Sequence, residues 1–400
     1  MADRLPPLLR EALGDDAPEL VIHPQCFLSE GHFAGPDATR ADAFVELAND
    51  PSIDAIWFAR GGYGANRMAE DALARLTSAA ADKRYLGYSD GGFLLAGTYD
   101  FYHDAVRRHG HDRAKAIYGA TIGEMQRMAV EAPGTVRFVG SKRIAAAAAE
   151  LEDCRVQYDA LRADGWPCEW YDGPDGQGLF LPTDGAFNPL ARCRMLATSA
   201  RHEGATLFAR APVTEIRGTS VHTPHGVVHA GRVFVAVDGR LEQLLPELSG
   251  QVRSARLQML ATAPTNEITV PCPMYYRDGY EYWQQLPDGR IALGGFRDKG
   301  GEGEWTTDGT PSAVVQAHLE RFLRESLKVQ APITHRWGAP VGYTPTGLPV
   351  IAEAREGVWA LGGYSGTGNV IGALAARAVV EAAIDGDERG VRLLQRTGTF

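Results

Sequence analysis

YLGYSDGGFLLAG, residues 85–97, holds two patterns that ordinarily occur apart. Its first half reads as a short apolar strand running into Gly87-Tyr88-Ser89-Asp90-Gly91, a GxSxG turn of the kind that exposes a serine hydroxyl. Its second half, GGFLLAG, opens a region of different character. Before it, short helical and strand patterns alternate. After it come long helical stretches, then strand hairpins, then a glycine loop near the C-terminus. The meeting of the two patterns predicts a chain built from two unlike parts.

Bulk properties bound the reading. Four hundred residues exceed one ordinary core, so two or more domains are expected. Hydrophobic content of 44% with 22% charged residues is that of a globular chain. A formal net charge of −10 without any Lys/Arg block argues against a nucleic-acid partner. The start, MADRLPPLLREALGDDAPEL, carries charges throughout and has no apolar core of a signal peptide. The uncharged run GVWALGGYSGTGNVIGALAA (357–376) is long enough to cross a bilayer, but its six glycines and polar centre predict strand, loop and helix instead. Five scattered cysteines (26, 154, 168, 193 and 272) form no CxxC pair. They predict a reducing, cytoplasmic setting with no disulfide and no structural metal.

Residues 1–90 read as an α/β fragment. RLPPLLREALG and RADAFVELAND carry helical spacing, while ELVIHP, IDAIWFAR and KRYLGYS are short apolar strands. Gly61-Gly62-Tyr63-Gly64 lies between strand and helix but lacks the GxGxxG spacing of a dinucleotide loop. The run GHFAGPDATRADAFVELANDPSIDAIWFARGGYGANRMAEDAL with KRYLGYSDGGFLLAG resembles the N-terminal half of the LD-carboxypeptidases. That resemblance implies Ser89 as nucleophile, with amides of Asp90 and of Gly61 or Gly62 as oxyanion hole. A serine nucleophile also needs a base. The family's glutamate and histidine come from a C-terminal domain that nothing after residue 97 resembles. His23, His32 and His103 remain as isolated candidates. Ser89 is therefore expected to be a turn residue capping the helix that begins at DGGF.

Residues 91–400 open with FYHDAVRRHGHDRAKAIYGATIGEMQRMAV and SKRIAAAAAELEDCRVQYDALRADG, each read as one helical stretch. RVFVAVDG reads as a buried strand, and YYRDGYEYWQQLPDGRIALGG (275–295) alternates over two strands joined at LPDGR. Alternation puts Tyr280 and Tyr282 on one face, Glu281 and Trp283 on the other. GVWALGGYSGTGNVIGALAARAVVEAA (357–383) is strand, glycine loop and a helix starting near Asn369. Gly362, Gly363, Gly366 and Gly368 would let backbone approach a planar ligand.

The order of these segments resembles the FAD-dependent oxidoreductases of the D-amino-acid-oxidase-like superfamily, which includes glycine, sarcosine and γ-glutamylputrescine oxidases. The resemblance implies an α+β unit with an incomplete nucleotide-binding layer and an antiparallel substrate sheet. It implies FAD as cofactor, with Val213 near the adenine, Gly239 near the phosphates, and Gly362, Gly363, Tyr364, Gly366, Thr367, Gly368 and Asn369 beside the flavin ring. The implied chemistry is hydride transfer from the carbon next to an amine to flavin N5, with oxygen as acceptor and peroxide as product. Tyr280, Tyr282 and Trp337 would form the substrate pocket, an aromatic box suited to a cation. Glycine-oxidase-like members hold a substrate carboxylate with two arginines; Val341 and Ser365 stand at those places here. Arg297 and Arg336 are the possible substitutes. An amine or polyamine-type substrate is favoured over a free amino acid.

The oxidoreductase pattern lacks its initial GxGxxG, which occurs nowhere in the chain. GGFLLAG suits both families, so the chain reads as recombined across it: residues 1–90 LD-carboxypeptidase-like, 91–400 oxidoreductase-like and truncated at the start. The expected activity is FAD-dependent oxidation of an amine or amino-acid C–N bond. The alternatives are a serine peptidase using Ser89 and an inactive chimera.

Overall fold

The computed structural model describes residues 21–28, 36–53, 55–56, 72, 75, 84–85, 91–208 and 211–395. The chain divides into two compact units, residues 1–87 and 88–400.

In the first unit Asp37–Asn49 is a helix, as the spacing in RADAFVELAND predicts. Ala48 and Ile56 are buried, with Phe44, Leu47 and Ile53 packed on them. Ala55–Ile56 pairs in parallel with Arg84–Tyr85. ELVIHP departs from expectation: residues 21–23 form no strand, and Pro24–Phe27 is a 3-10 turn. Proline lacks the N–H a ladder needs, and its fixed φ suits a helical start. His23 Nδ1 caps the turn by accepting from the Gln25 amide at 3.1 Å. RLPPLLREALG, His32, Gly61 to Gly64, and the turn holding Ser89 and Asp90 lie outside the described residues.

The second unit is organised around an eight-stranded mixed sheet. Across it the strands run Ile333–Tyr343, Arg253–Thr262, Ile291–Gly295, Glu281–Gln285, Met274–Tyr276, Ser141–Ile144, Gly176–Leu181 and Glu169–Gly173. All neighbours are antiparallel except Met274–Tyr276 with Ser141–Ile144. Residues alternate between faces with period two. Ile144, Leu260, Met274, Trp283 and Leu293 point to one face, where Val315 and Leu319 of the helix Ala313–Arg321 and Leu323 just beyond it cover them. Met259, Tyr275, Tyr282 and Trp337 are left on the other.

A smaller sheet pairs Val233–Val235 in parallel with Val358–Gly362, which is antiparallel to Val350–Arg355. The helix Ile371–Asp385 packs on it through Ile371, Ala375, Ala378 and Val379 against Ile351 and Leu361. Phe93–Leu94 of GGFLLAG is a strand, paired with Gly185–Phe187.

Three helical expectations need correction. No helix begins at DGGF: Gly91 and Gly92 lead into the strand Phe93–Leu94, and the first helix after them starts at Tyr102. FYHDAVRRHGHDRAKAIYGATIGEMQRMAV is two helices, Tyr102–His109 and His111–Glu131, parted at Gly110. Gly110 has φ 86°, which glycine tolerates and other residues resist. SKRIAAAAAELEDCRVQYDALRADG begins as the strand Ser141–Ile144, and its helix starts only at Ala148. Pairing on both sides of a central strand outweighs the helix preference of the alanines that follow.

Candidate functional site

One row of residues crosses the sheet. Tyr275 is the register partner of Tyr282, Tyr282 of Gly294, Gly294 of Met259, and Met259 of Trp337. Because partners directly opposite share a face, the four side chains in this row project together. A side chain at position 294 would collide with the Tyr282 ring, a Cβ there lying 2.5 Å from it. Glycine thus lets the ring lie flat across the neighbouring strand. Phe93 stands edge-on to both tyrosines, with ring centroids 5.6 Å from each.

This row floors a cavity of about 850 Å³. Tyr280, Tyr282, Trp337, Tyr364, Gly366, Thr367, Gly368 and Asn369, all picked out in the sequence, line it together. Tyr280 precedes its strand on a turn that Arg277 stiffens by pairing with Glu281 at 2.5 Å and Asp298 at 2.9 Å. The glycine loop is braced from within and without. The Thr367 hydroxyl donates to the Tyr364 carbonyl at 2.8 Å, and the Asn369 amide donates to the Phe93 carbonyl at 3.1 Å. Gly366 has φ 91°, and a Cβ there would meet only the Tyr343 hydroxyl at 3.7 Å. Space therefore opens in front of this residue.

Gly239, Gly362, Gly363 and Val213 lie outside the cavity lining. The three glycines make room for protein. A Cβ on Gly239 would crowd Gly342, one on Gly362 would lie 2.8 Å from the Asp238 Cα, and one on Gly363 would press on Thr344 and Val252. Val213 packs against the apolar cluster of Ile216, Val233 and Val235.

Val341 and Ser365 border the cavity. Neither proposed substitute arginine does. Arg336 bonds to Glu320 at 2.5 Å and Gln316 at 3.0 Å, while Arg297 lies over the rings of Trp305 and Tyr343. The basic residues in the lining are Arg108, Lys142 and Arg143, paired with Asp100, Asp175 and Asp153 respectively. Seven acidic residues line the cavity against these three basic ones, so its field favours a cation over a carboxylate.

Sequence reading missed Tyr275, Met259, Asp184 and Asp238. Asp184 is fully buried in the cavity wall and accepts from the Ser141 hydroxyl at 2.6 Å and the Ala96 amide at 2.9 Å. Burial pushes its carboxyl up to about 7, against the opposing pull of those two bonds. Burial also raises the Tyr275 and Tyr343 phenols, the latter to about 12. Both hydroxyls stay protonated at neutral pH. His103 bonds to Asp153 at 2.9 Å, and with Asp104 these side chains lie close enough to share a cation. Arg143 and Arg107 already pair with the two carboxylates.

Residues 60–382 match the family described as FAD dependent oxidoreductase, and residues 10–103 match the LD-carboxypeptidase N-terminal domain. The oxidoreductase designated OrdL of Rhizobium meliloti is 27% identical over 215 residues, covering 50% of this chain and 47% of that protein. A Streptomyces coelicolor protein described as a carboxypeptidase is 35% identical over 119 residues, 28% of this chain and 36% of its own length. The chain thus spans about half or less of these relatives. Among solved structures, glycine oxidase from Bacillus cereus is similar with a TM-score of 0.60 at 17% identity, covering 70% of this chain and 85% of that one. At that identity the likeness speaks for the fold alone, one of helices and mixed sheets. No helix among the described residues is long and apolar enough to cross a membrane. The chain belongs to the FAD dependent oxidoreductase family, joined at its start to LD-carboxypeptidase N-terminal-domain sequence.

Proposed function

We propose that this chain oxidises the C–N bond of a small amine in the cavity between the aromatic row and the glycine loop, with FAD as cofactor. The observation that carries the reading is the convergence of Tyr282, Trp337 and the Gly366–Asn369 loop on one space of about 850 Å³. The residues present fit the flavin ring: a Cβ at Gly366 would meet only the Tyr343 hydroxyl, at 3.7 Å, and Gly368 borders the same cavity. They do not supply a GxGxxG grip for the diphosphate, which the sequence lacks throughout. Tyr364, Gly366, Thr367, Gly368 and Asn369 would hold the ring. Val213, Gly239, Gly362 and Gly363 would act only through the segments they support. When bound, the flavin supplies two-electron oxidation of the carbon bearing the amine, with oxygen as acceptor and peroxide as product.

The protein's part is binding, orientation and charge. Tyr280, Tyr282 and Trp337 present ring faces to a cation and exclude water from the apolar floor. Val341 and Ser365 place no guanidinium at their two positions, and the lining guanidiniums of Arg108 and Arg143 already pair with Asp100 and Asp153, which favours amines over free amino acids. Asp184 is the wall residue able to hold or release a proton at its carboxyl near neutral pH. Imine formed by the oxidation hydrolyses in water to carbonyl and ammonia or amine.

The test is peroxide release from FAD-loaded protein, with paired substrates differing only in a carboxylate: putrescine against ornithine, and N-methylbutylamine against N-methylnorvaline. Faster turnover of the amine in each pair is expected. Faster turnover of both amino acids would overturn the substrate assignment, and no peroxide from any substrate would overturn the reaction.

A further inference from the structure

Asp238 lies just beyond the strand Val233–Val235, opening the 3-10 turn Asp238–Arg240, in a left-handed conformation, φ 48°, which a non-glycine residue adopts only against a steric cost. Its carboxylate is shared among three backbone amides from two distant segments. Oδ2 accepts from Gly342 at 2.8 Å, and Oδ1 accepts from Gly363 at 2.9 Å and Tyr364 at 3.3 Å. Gly342 lies on the strand that carries Trp337, Val341 and Tyr343 to the cavity; Gly363 and Tyr364 begin the glycine loop. The two segments touch directly as well, Ser365 donating its amide to the Gly342 carbonyl at 2.8 Å and accepting from Thr344 at 3.2 Å.

The surrounding glycines make sense around this carboxylate. A Cβ at Gly342 would lie 3.0 Å from Asp238 Oδ1 and 2.9 Å from the Gly239 Cα. One at Gly362 would run into the Asp238 backbone. Glycines at 239, 342 and 362 thus let three chain segments close around one acidic side chain. A carboxylate accepting several amides is a strong fastening, since charge-assisted bonds exceed neutral ones.

We propose that Asp238 is a positioning residue that locks the aromatic substrate wall and the glycine loop into one register. Its consequence for cofactor binding rests on the reading that this loop borders the flavin ring; its consequence for the two segments does not. Without the carboxylate, the Ser365 bonds to Gly342 and Thr344 are what still tie the loop to the strand, and a planar ligand between them meets a less firmly set wall.

The experiment reads both consequences. Amide hydrogen exchange is followed in the protein without added FAD, and FAD affinity is measured by titration of flavin fluorescence. In Asp238→Ala, exchange at Gly342, Gly363 and Tyr364 should rise by roughly ten- to a hundredfold, while strands 281–295 keep their protection. In Asp238→Asn one side-chain oxygen remains an acceptor and the amide nitrogen cannot accept. Either Gly342 alone or Gly363 with Tyr364 should then lose protection, a split that general loosening would not produce. FAD affinity should fall in the order wild type, Asn, Ala. Unchanged exchange at all three amides in a folded Asn variant would overturn the proposal, as would a uniform rise over the whole unit. Increased exchange with undiminished FAD affinity would overturn the coupling to the loop. Absence of FAD binding in the wild type would instead overturn the cofactor reading, while the exchange pattern still decides the role of Asp238.

Discussion

Asp184 and Trp337 show what single side chains contribute. Asp184 is a carboxyl whose burial raises it from 3.8 to about 7. A raised acid favours the folded state while protonated. Its stability contribution is therefore full below pH 3.8 and is lost as pH rises through about 7. Thermal or urea unfolding from pH 4 to 8 should show stability of the second unit falling by a few kcal/mol, and Asp184→Asn should flatten that slope. An identical slope in the variant would mean another group titrates. Trp337→Ala removes one wall of the aromatic box without disturbing the core beneath. For a cationic amine it should raise KM by roughly three- to thirtyfold with kcat little changed. A large loss in kcat with unchanged KM would contradict the role given to this ring. Neither aspartate highlighted by the structure announced itself in sequence: Asp184 sits in an ordinary turn pattern, PTDG, and Asp238 in another, VDG. Their significance comes from partners at positions 96, 141, 342, 363 and 364, which no local pattern connects.

At the level of elements, the row Tyr275, Tyr282, Gly294, Met259, Trp337 depends on register. Period-two alternation made the faces of 281–295 legible, and the LPDGR turn made that hairpin legible. Alternation over 275–295 suggests two strands, however, and the turn over 277–280 splits off Met274–Tyr276 as a third. Which strand lay beside which was not legible, because Arg253–Thr262 and Ile333–Tyr343 join the hairpin through long-range pairing. The strand Ser141–Ile144 was hidden for the same reason, its short pattern overshadowed by the alanines after it. Gly294→Val should force the Tyr282 ring from its place and destabilise the unit by roughly 1–3 kcal/mol. Adding Tyr282→Leu should restore much of that loss, since it removes the colliding ring. Unfolding curves of the single and double variants check this. A Gly294→Val protein as stable as wild type would show that the row is not packed as described.

Across the whole molecule, two family patterns overlap at residues 60–103, the span shared by both matches. GGFLLAG, an apolar stretch compatible in sequence with either context, lies within that overlap. In this protein its strand pairs with Gly185–Phe187, and Phe93 stands over the aromatic row. The segment thus serves the oxidoreductase unit. The carboxypeptidase glutamate–histidine pair comes from a C-terminal domain that nothing after residue 97 resembles. A pair among the described residues of the first unit, His23 with Glu46 at 3.3 Å, has its histidine engaged in capping the turn at Pro24. A serine-reactive phosphonate should leave Ser89 unlabelled, and labelling abolished by Ser89→Ala would establish a peptidase nucleophile. We propose that the cavity holds a flavin although the chain has no GxGxxG. The most direct test is anaerobic titration of FAD-reconstituted, gel-filtered protein with a diamine, watched through the visible flavin absorption. The colour is expected to co-elute with the protein, to bleach on amine addition and to return when air is admitted. A colourless protein after reconstitution would contradict flavin binding, and retained colour that no amine bleaches would contradict amine oxidation.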